Sequence, residues 1–324
     1  MKFTKFTATV AASAMLVASA VAPALAKEWK PRSDIEMVVP FSAGGGSDIN
    51  ARVVSQIITD NKLIDKNITV SNRPGASGAT GTAYAASKQG NPHVLLTTVA
   101  GQLAALIANK TPVQLEHLTP LATLALDPLM VVVKKDAPWQ TFEEFLAASR
   151  ADRDKVTVGG VGLFADDQIA LALLDADGED GISYVSYGGS GEVAAAVLGG
   201  HVSAGMFNPS EVLGQLQAGE MRALGITTPE RVPGILGDVP TFVEQGYPKA
   251  IWAQFRGYAA PAGIKPEEVK FWSDVFMGVG ATDAWKAEID KNSLVQVNWD
   301  AEESAKQWKL TEEQINAVMG RMQN

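Results

Sequence analysis

The sequence predicts an α/β protein of two lobes, with two parallel-rich sheets, helices on both faces and two strands that cross between the lobes. Three observations carry that expectation. Short apolar runs alternate with helix-period segments along the chain, which is how sheets covered by helices are encoded. Glycine-rich turns recur where strand patterns give way to helix patterns, the place where such sheets take up ligands. Two extended stretches, 121–126 and 251–258, interrupt the alternation and read as connections between lobes.

Residues 1–26 stand apart from the fold. Lys2 and Lys5 supply a positive start, 8–21 is almost wholly apolar and small, and Ala24-Leu25-Ala26 precedes Lys27. That is a secretory signal peptide cleaved after Ala26. The chain has no cysteine, and its length allows a large core without disulfides. Strands are expected at 35–41, 67–72, 93–99, 121–126, 130–135, 156–161, 182–187, 203–208 and 223–228. Helices are expected at 47–60, 78–88, 141–149, 166–175, 190–198, 210–218, 266–279, 282–291 and 302–322. Thr141 with Glu144 three residues later reads as a capping box. The segment 231–247, rich in Pro and Gly, fits neither a helix nor a strand. A chain that leaves a lobe and returns makes that lobe discontinuous: 27–126 with 251–324 form one domain and 127–250 the other, around a hinged cleft.

The formal net charge is -9, which argues against nucleic acid or an anionic membrane face as partner. A small anion is still compatible, because clustered N–H dipoles in a closed cleft outweigh distant screened carboxylates. The loop from Pro40 to Asp48 holds three consecutive glycines between a strand and a helix. Such a curl points N–H groups into one concavity and adds the positive end of the following helix. Similar turns follow at 72–81, 159–164, 187–192 and 208–211, accompanied by Ser42, Ser47, Ser77, Thr80, Ser190 and Asn208. N–H groups and small hydroxyls suit carboxylates.

Other chemistries find less support. The stretch 160–165 matches G-x-G-x-x-A, but no acidic residue ends the next strand, and no glycine loop is followed by Lys-Ser or Lys-Thr. His93, His117 and His201 lack the neighbours of a catalytic base or a zinc pair. Asp166-Asp167 reads as a helix start rather than a cation site. No cofactor, metal or catalytic residue is expected. Asp48 caps its helix or meets ligand. Arg73 pairs with ligand or braces its loop, Arg256 pairs with ligand or ties the lobes, and Phe41 and Phe164 are pocket walls or core.

Val39-Pro40-Phe41 with Gly44 to Asp48, Asn72-Arg73-Pro74-Gly75, Leu198 to Val202, Arg222 to Thr227, Asp238 to Thr241, Glu244 to Tyr247 and Phe255-Arg256-Gly257 occur in order. Together they resemble the Bug-type solute-binding proteins of tripartite tricarboxylate transporters. The 187–192 turn and Arg256-Gly257 look closest to the citrate-binding branch. The resemblance implies a type II-like, monomeric periplasmic binding protein. Such a receptor closes on a small carboxylate, a tri- or dicarboxylate such as citrate or a C4 acid, and presents it to membrane permease subunits. It places Phe41, Ser42, Ala43, Gly46, Ser47 and Asp48 on one wall. Gly162, Leu163, Phe164, Tyr187, Gly188 and Gly189 form the other. Ser77, Asn208 and Gln168 complete the expected site, with Gln168 standing where many members carry a His. A secreted hydrolase-like enzyme and a ligand-sensing partner of a membrane histidine kinase are the rival readings; the first needs a nucleophile–base pair that the sequence does not offer.

Overall fold

The computed structural model describes residues 29–108, 111–161, 163, 165–175 and 182–322. The expected leader at 1–26 lies outside the described residues. The chain opens with β1 (Ile35–Val39), α1 (Gly46–Asp60), β2 (Ile68–Asn72), α2 (Ala79–Ala86), β3 (Val94–Thr98) and α3 (Ala100–Ala108). The long β4 (Leu118–Pro128) then leads into β5 (Met130–Lys134), α4 (Phe142–Ala151), β6 (Val158–Val161) and α5 (Asp166–Leu174). Next come β7 (Tyr184–Tyr187), α6 (Ser190–Leu198), β8 (Ala204–Phe207), α7 (Pro209–Gln217) and β9 (Met221–Ile226). The chain returns through β10 (Ala253–Pro261) and ends with α8 (Pro266–Gly280), α9 (Asp283–Asn292), β11 (Val295–Trp299) and α10 (Ala301–Met322).

Two sheets result, one ordered β11-β4-β10-β3-β1-β2 and the other β7-β6-β8-β5-β9. Both are mixed. β1 runs parallel to β2 and β3, and β6 parallel to β7 and β8, whereas β10, β4, β11, β5 and β9 enter antiparallel pairs. The reversal follows from the crossing strands: β4 carries the chain out of the first sheet and β10 brings it back, so they lie side by side in opposite directions. They pair along their whole length, with a register shift between Arg256 and Gly257. A bulge re-aims the side chain beside it, and here that side chain is Arg256.

Both connections between the sheets meet at Thr227. Its N–H donates to the Leu129 carbonyl (2.9 Å), and its hydroxyl accepts from Leu129 N–H (2.9 Å) and donates to the Trp252 carbonyl (2.5 Å). Thr227 is buried, so these bonds are not exchanged for water. The first sheet is covered on both faces: Ile35, Met37 and Val39 point into one cluster with Trp272, Phe276 and Trp285, and Val38 into another. That second cluster is continuous with the other sheet, joining Leu96 and Leu103 to Ile169, Val131 and Phe142 through Trp308, Ile315 and Val318 of α10. Met130, Val132, Val193 and Phe207 fill the opposite face of the second sheet.

Local chemistry explains most element ends. The Thr141 hydroxyl accepts from Glu144 N–H (3.2 Å), but the Glu144 carboxylate takes the N–H of Gln140 (2.6 Å), so the box closes one residue early. The 231–247 segment contains a single short 3-10 turn, Gly234–Leu236. Two elements lie outside the expected pattern. α3 is apolar almost all round and buried, so it has no amphipathic period to read. β11 is a half-buried edge strand of five residues.

Candidate functional site

A cleft of about 700 Å³ opens between the two sheets. Its first wall is the turn from β1 into α1. Gly44 takes a left-handed φ of 80°, and Gly45 caps α1 without a side-chain hydrogen bond. The Asp48 carboxylate accepts from Gly44 N–H (2.9 Å), Asn72 Nδ2 (2.9 Å) and Arg52 Nη2 (2.9 Å). The Arg52 hydrogen bonds, with those from Gly44 and Asn72, outweigh burial and hold its pKa down at about 2. Asp48 therefore stays charged and folds the loop. The first N–H groups of α1, at Gly46 and Ser47, have no acceptor one turn back within the helix. They add to its positive end at the cleft. Over them lies the Arg256 guanidinium, 3.3 Å from the point where a Cβ on Gly46 would stand. Arg256 also pairs with the buried Asp127 of β4.

Ser77 reaches the cleft through backbone strain. Gly75, Ala76, Ser77 and Gly78 all have positive φ (137°, 47°, 51° and 94°). A non-glycine residue held there costs on the order of 1–3 kcal/mol and marks sites where position outranks stability. The turn is braced from behind, because a Cβ on Gly81 would lie 2.7 Å from Pro40 Cα and 2.9 Å from the Arg73 carbonyl. Gln102, from α3, donates to Thr82 Oγ1 (2.6 Å) beside it.

The second wall comes from the other sheet. Gly188, Gly189 and Ser190 open α6, and Asn208 opens α7. Asn208 Nδ2 reaches back to the carbonyls of Asp127 (3.2 Å) and Pro128 (2.9 Å), tying the wall to the crossing strand. Asp166 and Asp167 at the start of α5 complete it. Asp166 accepts from Trp252 Nε1 and Gln254 Nε2, each at 3.0 Å, and from Gly101 N–H at the start of α3. Asp167 accepts from Val161 N–H (2.7 Å), and its Oδ2 and the Tyr184 hydroxyl both occupy the space a Cβ on Gly160 would need. Burial pushes the carboxyls of Asp127, Asp166 and Glu211 up. Burial, with the nearby charges of Glu211 and Asp166, pushes Asp167 up to about 8.

Of the residues expected from sequence, the fold brings Phe41, Gly46, Ser47, Ser77, Gly188, Gly189 and Asn208 together in this cleft. Ser42 and Ala43 are exposed on the loop beside it. Asp48 is turned into the loop, its carboxylate consumed by Gly44, Arg52 and Asn72. Leu163 is 63% exposed. Tyr187 is half-buried and packs against the apolar cluster that contains Met130, Val193 and Phe207. Gln168 is half-buried on α5 and does not line the cleft; Ala165, Asp166 and Asp167 do. Gly162 and Phe164 lie outside the described residues. Arg73 braces its loop, pairing with Glu36 (3.2 Å) and lying over the Tyr84 ring (3.4 Å). Hydrogen bonds from Ser71, Tyr84 and Arg73 keep Glu36 below its ordinary pKa against the opposing pull of burial. Sequence reasoning missed Asp127, Gln102, Gln254 and Glu211. Asp127 preceding Pro128 at a strand end was the one visible signal.

The chain matches the family model TctC, tripartite tricarboxylate transporter family receptor, over residues 51–322. It is 27% identical to Protein BugT of Bordetella pertussis over 256 residues, 78% of each chain. Its fold superposes on a TctC solute binding protein from Polaromonas, without ligand, at a TM-score of 0.77 and 26% identity, covering 90% of this chain and 99% of that one. MatC from Rhodopseudomonas palustris with bound malate shares the fold at a TM-score of 0.71 and 22% identity, over 90% of this chain and 99% of that one.

Proposed function

Because this chain belongs to the tripartite tricarboxylate transporter receptor family, we propose that it captures a small carboxylate between its two sheets and delivers it to the permease of such a transporter. The observation that carries this reading is the meeting, in one cleft, of the open N-terminus of α1, the Ser47 and Ser77 hydroxyls, Arg256 and the glycine turns at the start of α6. N–H groups at a helix start bind a carboxylate without a dedicated cation. Malate in the similar fold of MatC supports an organic acid as ligand.

The lobes are 27–126 with 251–324 and 127–250, hinged at the crossing strands, where Leu129, Thr227 and Trp252 are bonded to one another. Closure on ligand needs rotation only at these two connections. The protein acts outside the cytoplasmic membrane as a receptor without turnover, after cleavage behind Ala26; among the described residues no helix is long and apolar enough to cross a membrane.

A thermal-shift panel of mono-, di- and tricarboxylates tests the reading. A ligand that binds only the folded state, present at a hundred times its Kd, stabilises by about 2.7 kcal/mol. At least one carboxylate should raise Tm, and uncharged sugars should not. A shift with sugars alone would refute the carboxylate receptor.

A further inference from the structure

More than the crossing strands joins the two lobes. Beside the cleft, α5 of the 127–250 lobe packs against α3 and α10 of the other. Ile169 and Leu173 of α5 lie in one apolar cluster with Leu103, Leu106, Trp308 and Ile315. Apolar contact is non-directional and tolerates rotation. At the cleft end of the same contact sits Asp166, the first residue of α5. Its buried carboxylate accepts from Trp252 Nε1 and Gln254 Nε2, each at 3.0 Å, on the returning crossing segment, and from the N–H of Gly101 on α3. Gly101 is the second residue of α3, and Val99, which precedes that helix, has no side-chain acceptor for its first turn. Asp166 supplies one from the other lobe. Its negative charge thus stands at the positive start of α3 as well as of its own helix. The approach is close, because Asp166 Oδ2 occupies the space that a Cβ on Gly101 would need.

We infer that Asp166 is a positioning residue that fixes the angle between the lobes when the cleft is closed, and so sets how long a bound molecule is held; this rests on the receptor reading. Rotation at the Leu129 and Trp252 connections parts α5 from α3, and the Gly101 N–H and the carboxylate then turn to water. The apolar contact beside them allows a range of angles. Three directional bonds to one carboxylate select a single angle. A buried carboxylate is costly to keep, and fixing register is the best-attested use of such a group. The role requires no contact between Asp166 and the bound molecule.

Small-angle scattering of the ligand-free protein, unfolded and refolded to remove bound molecules, tests this together with stopped-flow release of a bound acid. Three variants act on the contact from different sides. Asp166→Asn keeps the shape, but its amide sets an N–H against at least one of three converging donors. Gly101→Ala leaves the carboxylate in place and forces a methyl group against it. Gln254→Leu removes one donor and is the mild case. The first two should show a larger radius of gyration than wild type. From the same two variants, whichever of malate, succinate, adipate and citrate binds wild type most tightly should leave about tenfold faster, with little change in its association rate. Gln254→Leu should move both readouts in the same direction by less. Scattering is taken without ligand, so a lost ligand contact cannot move it. A residue that only stabilised the fold would lower the urea midpoint in these variants and leave both readouts at their wild-type values. A wild-type radius of gyration in whichever variants fold overturns the inference, as does wild-type release. If none of the four acids binds the wild-type protein, the receptor reading fails instead, and scattering alone decides the role of Asp166.

Discussion

Arg256→Met is expected to cost about 3–5 kcal/mol of stability, the loss typical of a buried ion pair broken from one side. The Arg256 side chain is 13% exposed and its partner Asp127 1% exposed, so water can replace little of what the guanidinium supplies. Removing it strands a carboxylate whose other oxygen already lacks a partner. Asp127 would respond by taking up a proton, the direction in which burial already pushes it. Adding Asp127→Leu to Arg256→Met should recover much of the loss, since a removed pair is far less costly than a half-removed one. Urea denaturation of the two variants checks this. A single-variant loss under about 0.5 kcal/mol, the size of a surface pair, would show that the crossing strands do not depend on the ion pair.

The ligand-free protein is expected to lose stability as pH rises from 5 to 8. Asp167 is raised from an unfolded value of 3.8 to about 8. Between those values the folded state holds a proton that the unfolded state has released, so unfolding becomes easier with each step up in pH. Asp166 and Glu211 are raised by burial and act in the same direction. Asp48 acts in the opposite sense at the acid end: held at about 2, it contributes stability that is present above 3.8 and disappears as pH falls toward 2. Tm should therefore be highest near the lower end of the 5–8 range. Asp167→Asn, which keeps the shape and cannot ionise, should flatten the decline and raise Tm at pH 8. A wild-type Tm that is level or climbs from pH 5 to 8 would mean that these acids face more water than the fold gives them.

The alternation of strands and helices was legible because most segments keep one face apolar; α3 escaped because its apolar residues run all round. The glycine loop at 44–46 could be read as an anion site from local rules alone, since Gly44 supplies the left-handed turn and the helix follows at once. The acids could not be read the same way. Asp127 sits at a strand end, Asp166 and Asp167 at a helix start and Glu211 in a capping position, each with a sufficient local explanation. Only the return of β10 beside β4 puts them around one cavity with Arg256. Asp48 shows the converse. Local rules left it a helix cap or a ligand contact and the family resemblance put it on the ligand wall, whereas Arg52 one turn on, with Asn72 from β2, takes up its charge.

The central claim is that the start of α1 holds the carboxylate of the ligand. A crystal structure of the protein with the tightest-binding carboxylate of the panel tests it most directly. The account predicts carboxylate oxygens within about 3.2 Å of the Gly46 and Ser47 nitrogens, with the Arg256 guanidinium beside them and the far end of the ligand against α5 and α7. A carboxylate bound elsewhere on the molecule, or held in this cleft without touching residues 45–47, would contradict it.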